Sequence, residues 1–230
     1  MKTIYYYQTF VGLEKALTHI EDIDVINVSS IHFGKDKNGI KSIYLNDNKP
    51  YDNLFNDLWL QTEKASVQGC TILLMVGGAG FAYKELFSDF TTYYPLLRKL
   101  IYDKSWIRGI DLDIEERVTI EDVKMLINQL VLDFGEEFII TMAPVSATLQ
   151  NDGSSMAGFS YKDLYLSTEG KHIRWFNTQC YYSFSAETYE SIIGNGYPPE
   201  KVVMGMESGQ FTEETFNNAL SEVKKIKEKH

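Results

Sequence analysis

Seven stretches of the chain are short and rich in apolar residues, and a helix-like pattern follows each of them. They cover residues 3–10, 24–34, 71–78, 109–115, 138–144, 175–182 and 201–208 and read as β-strands. Alternation is clearest in "GIDLDIE" (109–115), where Ile110, Leu112 and Ile114 interleave with Asp111, Asp113 and Glu115. Successive strand side chains point to opposite faces, so one face of this strand is aliphatic and the other anionic. Helices are expected near 12–20, 54–69, 83–104, 119–134, 161–167, 186–194 and 212–229. Thr119 followed by Asp122 marks a helix start of the capping-box type, with Asp in place of Glu or Gln. Acids open and lysines close the last helix, which suits the helix dipole.

Repeated strand-then-helix units predict a parallel sheet with right-handed crossovers. A doubly wound sheet would use "GGAG" (77–80) as a phosphate loop, but the G-x-G-x-x-G pattern is absent. Gly77 and Gly78 fit a close backbone approach at a strand end better. A barrel places Asp111, Asp113 and Glu115 inside, with Glu115 at the C-terminal mouth where barrel active sites lie. The expected fold is therefore α/β, a (β/α)8 TIM barrel forming one catalytic domain over residues 1–230. Only seven strands can be counted, so the eighth is expected to be missing and the chain to be C-terminally truncated. The open barrel edge would then favour self-association.

Net charge is −10, with the acids dispersed, which argues against nucleic acid and membranes as partners but not against neutral sugar. No apolar run approaches the ~20 residues of a membrane span. The first ten residues show no signal-peptide pattern. Cys70 and Cys180 provide no disulfide framework, and His19, His32, His172 and His230 show no metal-ligand spacing. No metal and no other cofactor is expected. Trp59 falls in a helix, whereas Trp106 and Trp175 precede strands; all three suit the core. Like charges in a semi-buried row repel one another and lose hydration, and catalysis is the natural reason to keep them.

"GIDLDIE" resembles the D-x-x-D-x-D-x-E signature of the chitinase family of glycoside hydrolases, family 18. "TILLMVGGAG", "TMAP" and "NTQCYYSF" are similar to the family's third-, fifth- and sixth-strand segments, and "VINVSSIHFG" and "KVVMGMES" to strands two and seven. The resemblance implies a hydrolase of β-1,4-linked N-acetylglucosamine, acting on chitin or chitooligosaccharides with the substrate's own acetamide as nucleophile. Alternatives are an endo-β-N-acetylglucosaminidase cleaving the chitobiose core of N-glycans, and a chitinase-like lectin, which typically lacks the Glu. Glu115 would be the general acid and base, its pKa held up by its neighbours. Asp113 would orient the acetamide N–H, and Asp111 would share a proton with Asp113. Tyr181, with Tyr182 as the alternative in register, would donate to the acetamide oxygen. Gly77, Gly78, Met142, Gln179 and Tyr182 are expected to line the sugar site. Phe10, Phe33, Phe81, Phe184 and Phe211 are candidates at the mouth, Phe10 foremost. Two positions depart from the family pattern. Arg108 stands where the signature begins with Asp, and is expected to reach solvent. Met75 replaces a Ser, which would remove a hydroxyl partner from the buried acid.

Overall fold

The computed structural model describes residues 2–152, 155–207, 209 and 212–229. Seven parallel strands curl side by side: β1 (Ile4–Tyr7), β2 (Val25–Lys35), β4 (Thr71–Gly77), β5 (Ile107–Asp113), β6 (Ile139–Met142), β7 (Ile173–Gln179) and β8 (Val202–Gly205). The eighth strand, β3 (Lys41–Leu45), pairs antiparallel with β2 as a hairpin. No pairing joins β8 to β1 among the described residues, so this is a TIM-type barrel short of one parallel strand. Between the strands run α1 (Glu14–Leu17), α2 (Asn56–Val67), α3 (Ala82–Ser88), α4 (Phe90–Asp103), α5 (Ile120–Phe134), α6 (Ser146–Asn151), α7 (Tyr161–Leu166) and α8 (Ala186–Gly194), and α9 (Glu213–Lys229) follows β8.

The period-two pattern sorts the core into two compartments. Ile110, Leu112 and Ile114 pack outward with Leu74, Val76 and the helical Leu97, Leu126 and Leu130. Inside the sheet, Val25, Leu73 and Trp175 form a separate apolar layer with Ile4, Ile139 and Val203. Polar residues stand above this layer, towards the C-terminal strand ends. Trp175 lies within β7 instead of before it, so its ring helps fill the lower barrel. Trp59 is buried in α2, and Trp106 immediately precedes β5 and packs against the outer core.

Three local differences from the sequence reading have physical causes. The helix expected over 83–104 breaks at Asp89, whose backbone is non-helical. The Asp89 carboxylate accepts from the Thr91 and Thr92 hydroxyls at 2.9 and 2.8 Å and pairs with Lys41 of the hairpin, which holds the chain at this break. The β2–β3 hairpin was not anticipated, although Asn38-Gly39 between alternating runs is a recognised hairpin signal. Strand β5 ends at Asp113, so Glu115 sits just past it on the exit loop.

Gly109 makes the close β5–β6 packing possible, because a Cβ there would lie 2.1 Å from the Ile139 carbonyl oxygen. Gly109→Ala is expected to destabilise the fold by roughly 1–3 kcal/mol, the usual cost of forcing a methyl into a packed interior. Thermal melting would reveal the loss. An unchanged melting temperature would mean that β5 and β6 can separate here without cost.

Candidate active site

Strand β5 carries the acids upward through layers of decreasing burial. Asp111 is fully buried, Asp113 is 7% exposed, and Glu115 beyond the strand end is half-buried. The lowest acid is the best satisfied. Asp111 accepts from the Tyr6 hydroxyl (2.7 Å), the Thr141 hydroxyl (2.5 Å) and the Asn177 amide (2.9 Å), contributed by β1, β6 and β7. Burial raises its pKa and these three donors work against the rise.

Asp113 has less support. Gln179 Nε2 donates to it at 3.0 Å and also to the Ala143 carbonyl at 2.8 Å. Burial first, then the charges of Glu115 and Asp111, push the Asp113 pKa well above the ordinary carboxylate range. The Asp111 charge is one of those that raise Asp113, so the two acids interact along the strand. Donors from β6 beside it and from β1 and β7 across the interior occupy the Asp111 oxygens. Those same donors replace the hydroxyl expected to be lost at Met75, which lies buried in register with Asp111.

The rim is shaped by β4 and β7. Gly77 and Gly78 have φ of 100° and 80°, and a Cβ on Gly77 would lie 2.1 Å from the Asp113 carbonyl oxygen. That carbonyl accepts the Gly78 N–H at 2.9 Å, which fastens the end of β4 to the top of the acid row. Tyr181 stands just beyond β7 and is half-exposed. Burial and then the charges of Asp113 and Glu115 push its hydroxyl up to about 12. Tyr182 is 92% exposed. Glu115 accepts no hydrogen bond among the described residues, which leaves its carboxylate free to face a ligand.

Two residues expected in the site lie elsewhere. Met142 is fully buried on the outer face of β6, among the helix-facing core residues, because the alternation that turns Thr141 inward turns Met142 outward. Phe10 packs edge-on against Tyr7 and Phe55, with ring centres 5.3 and 5.5 Å away, and so belongs to the outer core. Phe33 is buried against Tyr93, Phe81 is exposed, Phe184 is partly buried, and Phe211 lies outside the described residues. Arg108 is exposed on β5. Tyr6, Thr141 and Asn177 were not anticipated; the signal for them was a polar residue in mid-strand among apolar neighbours, since such groups are buried only with partners.

A cleft of about 1050 Å3 opens along the β2–β3 hairpin, lined by His32, Tyr44, Asp47, Asn48, Lys35 and Ala79 among others. None of Asp111, Asp113, Glu115 and Tyr181 lines it; Ala79 is the lining residue next to the Gly77-Gly78 rim in the chain. One group of side chains among the described residues is close enough to share an ion: His19, Glu21 and Asp22, with ligand atoms within 4.8 Å. All three are exposed, on the approach to β2, at the end of the sheet away from the acids.

No family model and no curated protein matches the sequence. Solved structures do. A chitinase from Aspergillus fumigatus is 30% identical, with TM-score 0.79, and the match covers 88% of this chain and 76% of that one. A fungal endo-β-N-acetylglucosaminidase of glycosyl hydrolase family 18 is also 30% identical, with TM-score 0.81, over 97% of this chain and 85% of that one. A family 18 chitinase from Pseudoalteromonas aurantia shares the fold at 20% identity and TM-score 0.76, over 100% of this chain and 90% of that one. With its acids on the inner face of one barrel strand and these relatives matched over most of their length, the chain belongs to glycoside hydrolase family 18.

Proposed function

We propose that the protein hydrolyses β-linked N-acetylglucosamine by a substrate-assisted, retaining mechanism. The observation that carries this reading is the graded acid row: buried Asp111, nearly buried Asp113 and a half-buried Glu115 without a hydrogen-bond partner among the described residues, with Tyr181 beside them. A free carboxyl at the mouth suits proton transfer, whereas the two acids beneath it lack the access an attacking water needs. Glycosidases that rely on two carboxylates place them on opposite sides of the scissile bond; here all three stand in one row.

In the proposed reaction the acetamide oxygen of the bound sugar attacks the anomeric carbon. The bond to the leaving oxygen breaks as that oxygen takes the proton of Glu115. Asp113 accepts from the acetamide N–H and steadies the positive charge that develops on the ring formed. Tyr181 donates its hydroxyl to the acetamide oxygen, orienting it for attack. Water then attacks the same carbon as its bond to the acetamide oxygen breaks and the acetamide is restored, and Glu115, now a carboxylate, takes a proton from that water. Two inversions return the original β configuration.

Chitooligosaccharide is the first substrate proposed. The chitobiose core of an N-glycan is the second, supported by the likeness to a fungal endo-β-N-acetylglucosaminidase over 97% of this chain. Incubation with a chitooligosaccharide and with a high-mannose glycopeptide, followed by mass analysis of the products, decides between them.

Glu115→Gln is expected to remove turnover while leaving fold and sugar binding intact, since general acid catalysis typically contributes about 10²–10⁴-fold. Turnover within about tenfold of wild type would take Glu115 out of that role. Early products should be β-anomers by proton NMR, and Asp113→Asn and Tyr181→Phe should each lower kcat more than they weaken binding.

Asp113 also makes stability depend on pH. Its folded pKa is raised, so its contribution is full below the unfolded value of about 3.9 and is lost as pH rises through the folded pKa. Asp113→Asn cannot ionise and should therefore flatten the fall in melting temperature as pH rises above about 3.9. Parallel melting curves across that pH range would contradict the raised pKa.

A further inference from the structure

A second glutamate follows Glu115 directly, and the proposed chemistry does not use it. Glu116 is 7% exposed, one of three buried acids among the described residues with Asp111 and Asp113. Its Oε1 accepts the backbone N–H of Tyr83 at 2.7 Å, while its buried Oε2 has no partner. Burying a carboxylate with one oxygen unsatisfied costs stability, and an apolar residue would fill the same space more cheaply. Stability alone does not account for an acid here.

The contacts of Tyr83 show what the acid fastens. Tyr83 lies in the first turn of α3, and its hydroxyl donates to the Val76 carbonyl at 2.8 Å. Its ring would touch a Cβ on Gly77 at 2.6 Å. Gly78 in turn donates to the Asp113 carbonyl. The segments leaving β4 and β5 are thus tied to each other at two points, Gly78 to Asp113 and Tyr83 to Glu116, and Tyr83 is itself tied back to β4. Glu115 has no hydrogen bond of its own among the described residues, but both of its chain neighbours are buried: Ile114 in the outer core and Glu116 against α3.

We propose that Glu116 is a positioning residue, holding the exit of β5 so that the free Glu115 carboxyl points at the scissile bond. This rests on the reading of Glu115 as the acid and base. The agent is the hydrogen bond to Tyr83 N–H, which an amide oxygen can also accept.

The test measures kcat, KM and melting temperature for wild type, Glu116→Ala, Glu116→Gln and Glu116→Asp, on whichever N-acetylglucosaminide the wild type cleaves, at a temperature where all are folded. Misplacing a reacting group by about 1 Å can cost on the order of 100-fold. Glu116→Ala is therefore expected to lose about tenfold or more in kcat with KM little changed, Glu116→Asp to be intermediate, and Glu116→Gln to restore most of kcat. A stability role alone would lower the melting temperature and leave kcat unmoved below it. The proposal is overturned if Glu116→Ala keeps kcat within about threefold of wild type, or if Glu116→Gln is as impaired as Glu116→Ala. If Glu116→Ala does not fold, Glu116→Asp with full kcat overturns it equally. An inactive Glu115→Gln beside a fully active Glu116→Ala would sink only this inference. A wild type that cleaves no N-acetylglucosaminide, or an active Glu115→Gln, would sink the functional reading beneath it.

Discussion

Placing three carboxylates on one face of a central strand is the constraint around which the barrel interior is arranged. Adjacent like charges in a low-dielectric interior cannot all stay ionised without compensation. The fold resolves this by giving each acid a different environment. Asp111 receives three donors from three strands, Asp113 receives one and a strongly raised pKa, and Glu115 is lifted past the strand end to a half-exposed rim. A single alternating sequence thereby yields three chemically distinct groups.

The rest of the inner surface follows from that gradient. The apolar layer of Val25, Leu73 and Trp175 seals the lower barrel, so Asp111 meets protein dipoles in place of water. Directly above it the mid-strand polar residues Tyr6, Thr141 and Asn177 converge on a single carboxylate, and networks of this kind reinforce one another in low dielectric. At the rim the side chains shrink to Gly77 and Gly78, where any Cβ would collide with the backbone of Asp113 or crowd Met75. Large apolar, then polar, then nearly absent side chains are what a site needs that must be dry below and open above.

How much of this was legible in the sequence depended on whether the signal was local. Short apolar runs located all seven parallel strands, period-two alternation located the anionic face of one of them, and Gly77-Gly78 marked the close approach. Local pattern misplaced Met142, because an apolar residue in a strand matches either face until its neighbour Thr141 is known to point inward. It also misassigned Phe10, since a strand-end aromatic packs wherever a partner lies, here Tyr7 and Phe55. The donors to Asp111 come from residues 105, 30 and 66 positions away in the chain, and only strand order brings them together.

The substitution at Met75 shows why a departure within a motif need not disable the site that the motif marks. A hydroxyl at position 75 would reach Asp111 from β4, its neighbour on one side. In this chain support comes instead from β6, the neighbour on the other side, and from β1 and β7 across the interior. Each neutral donor to a buried carboxylate adds a modest amount, and what matters most is that no oxygen is left bare. With three donors present, a fourth would add little, and the space is better filled by a side chain that packs beneath Gly78. Met75 does this, its terminal methyl lying 3.1 Å from where a Cβ on Gly78 would stand. The buried end of the acid row is thus sustained by inward-facing residues of several strands together, and Met75 can lack a hydroxyl because the others already satisfy Asp111.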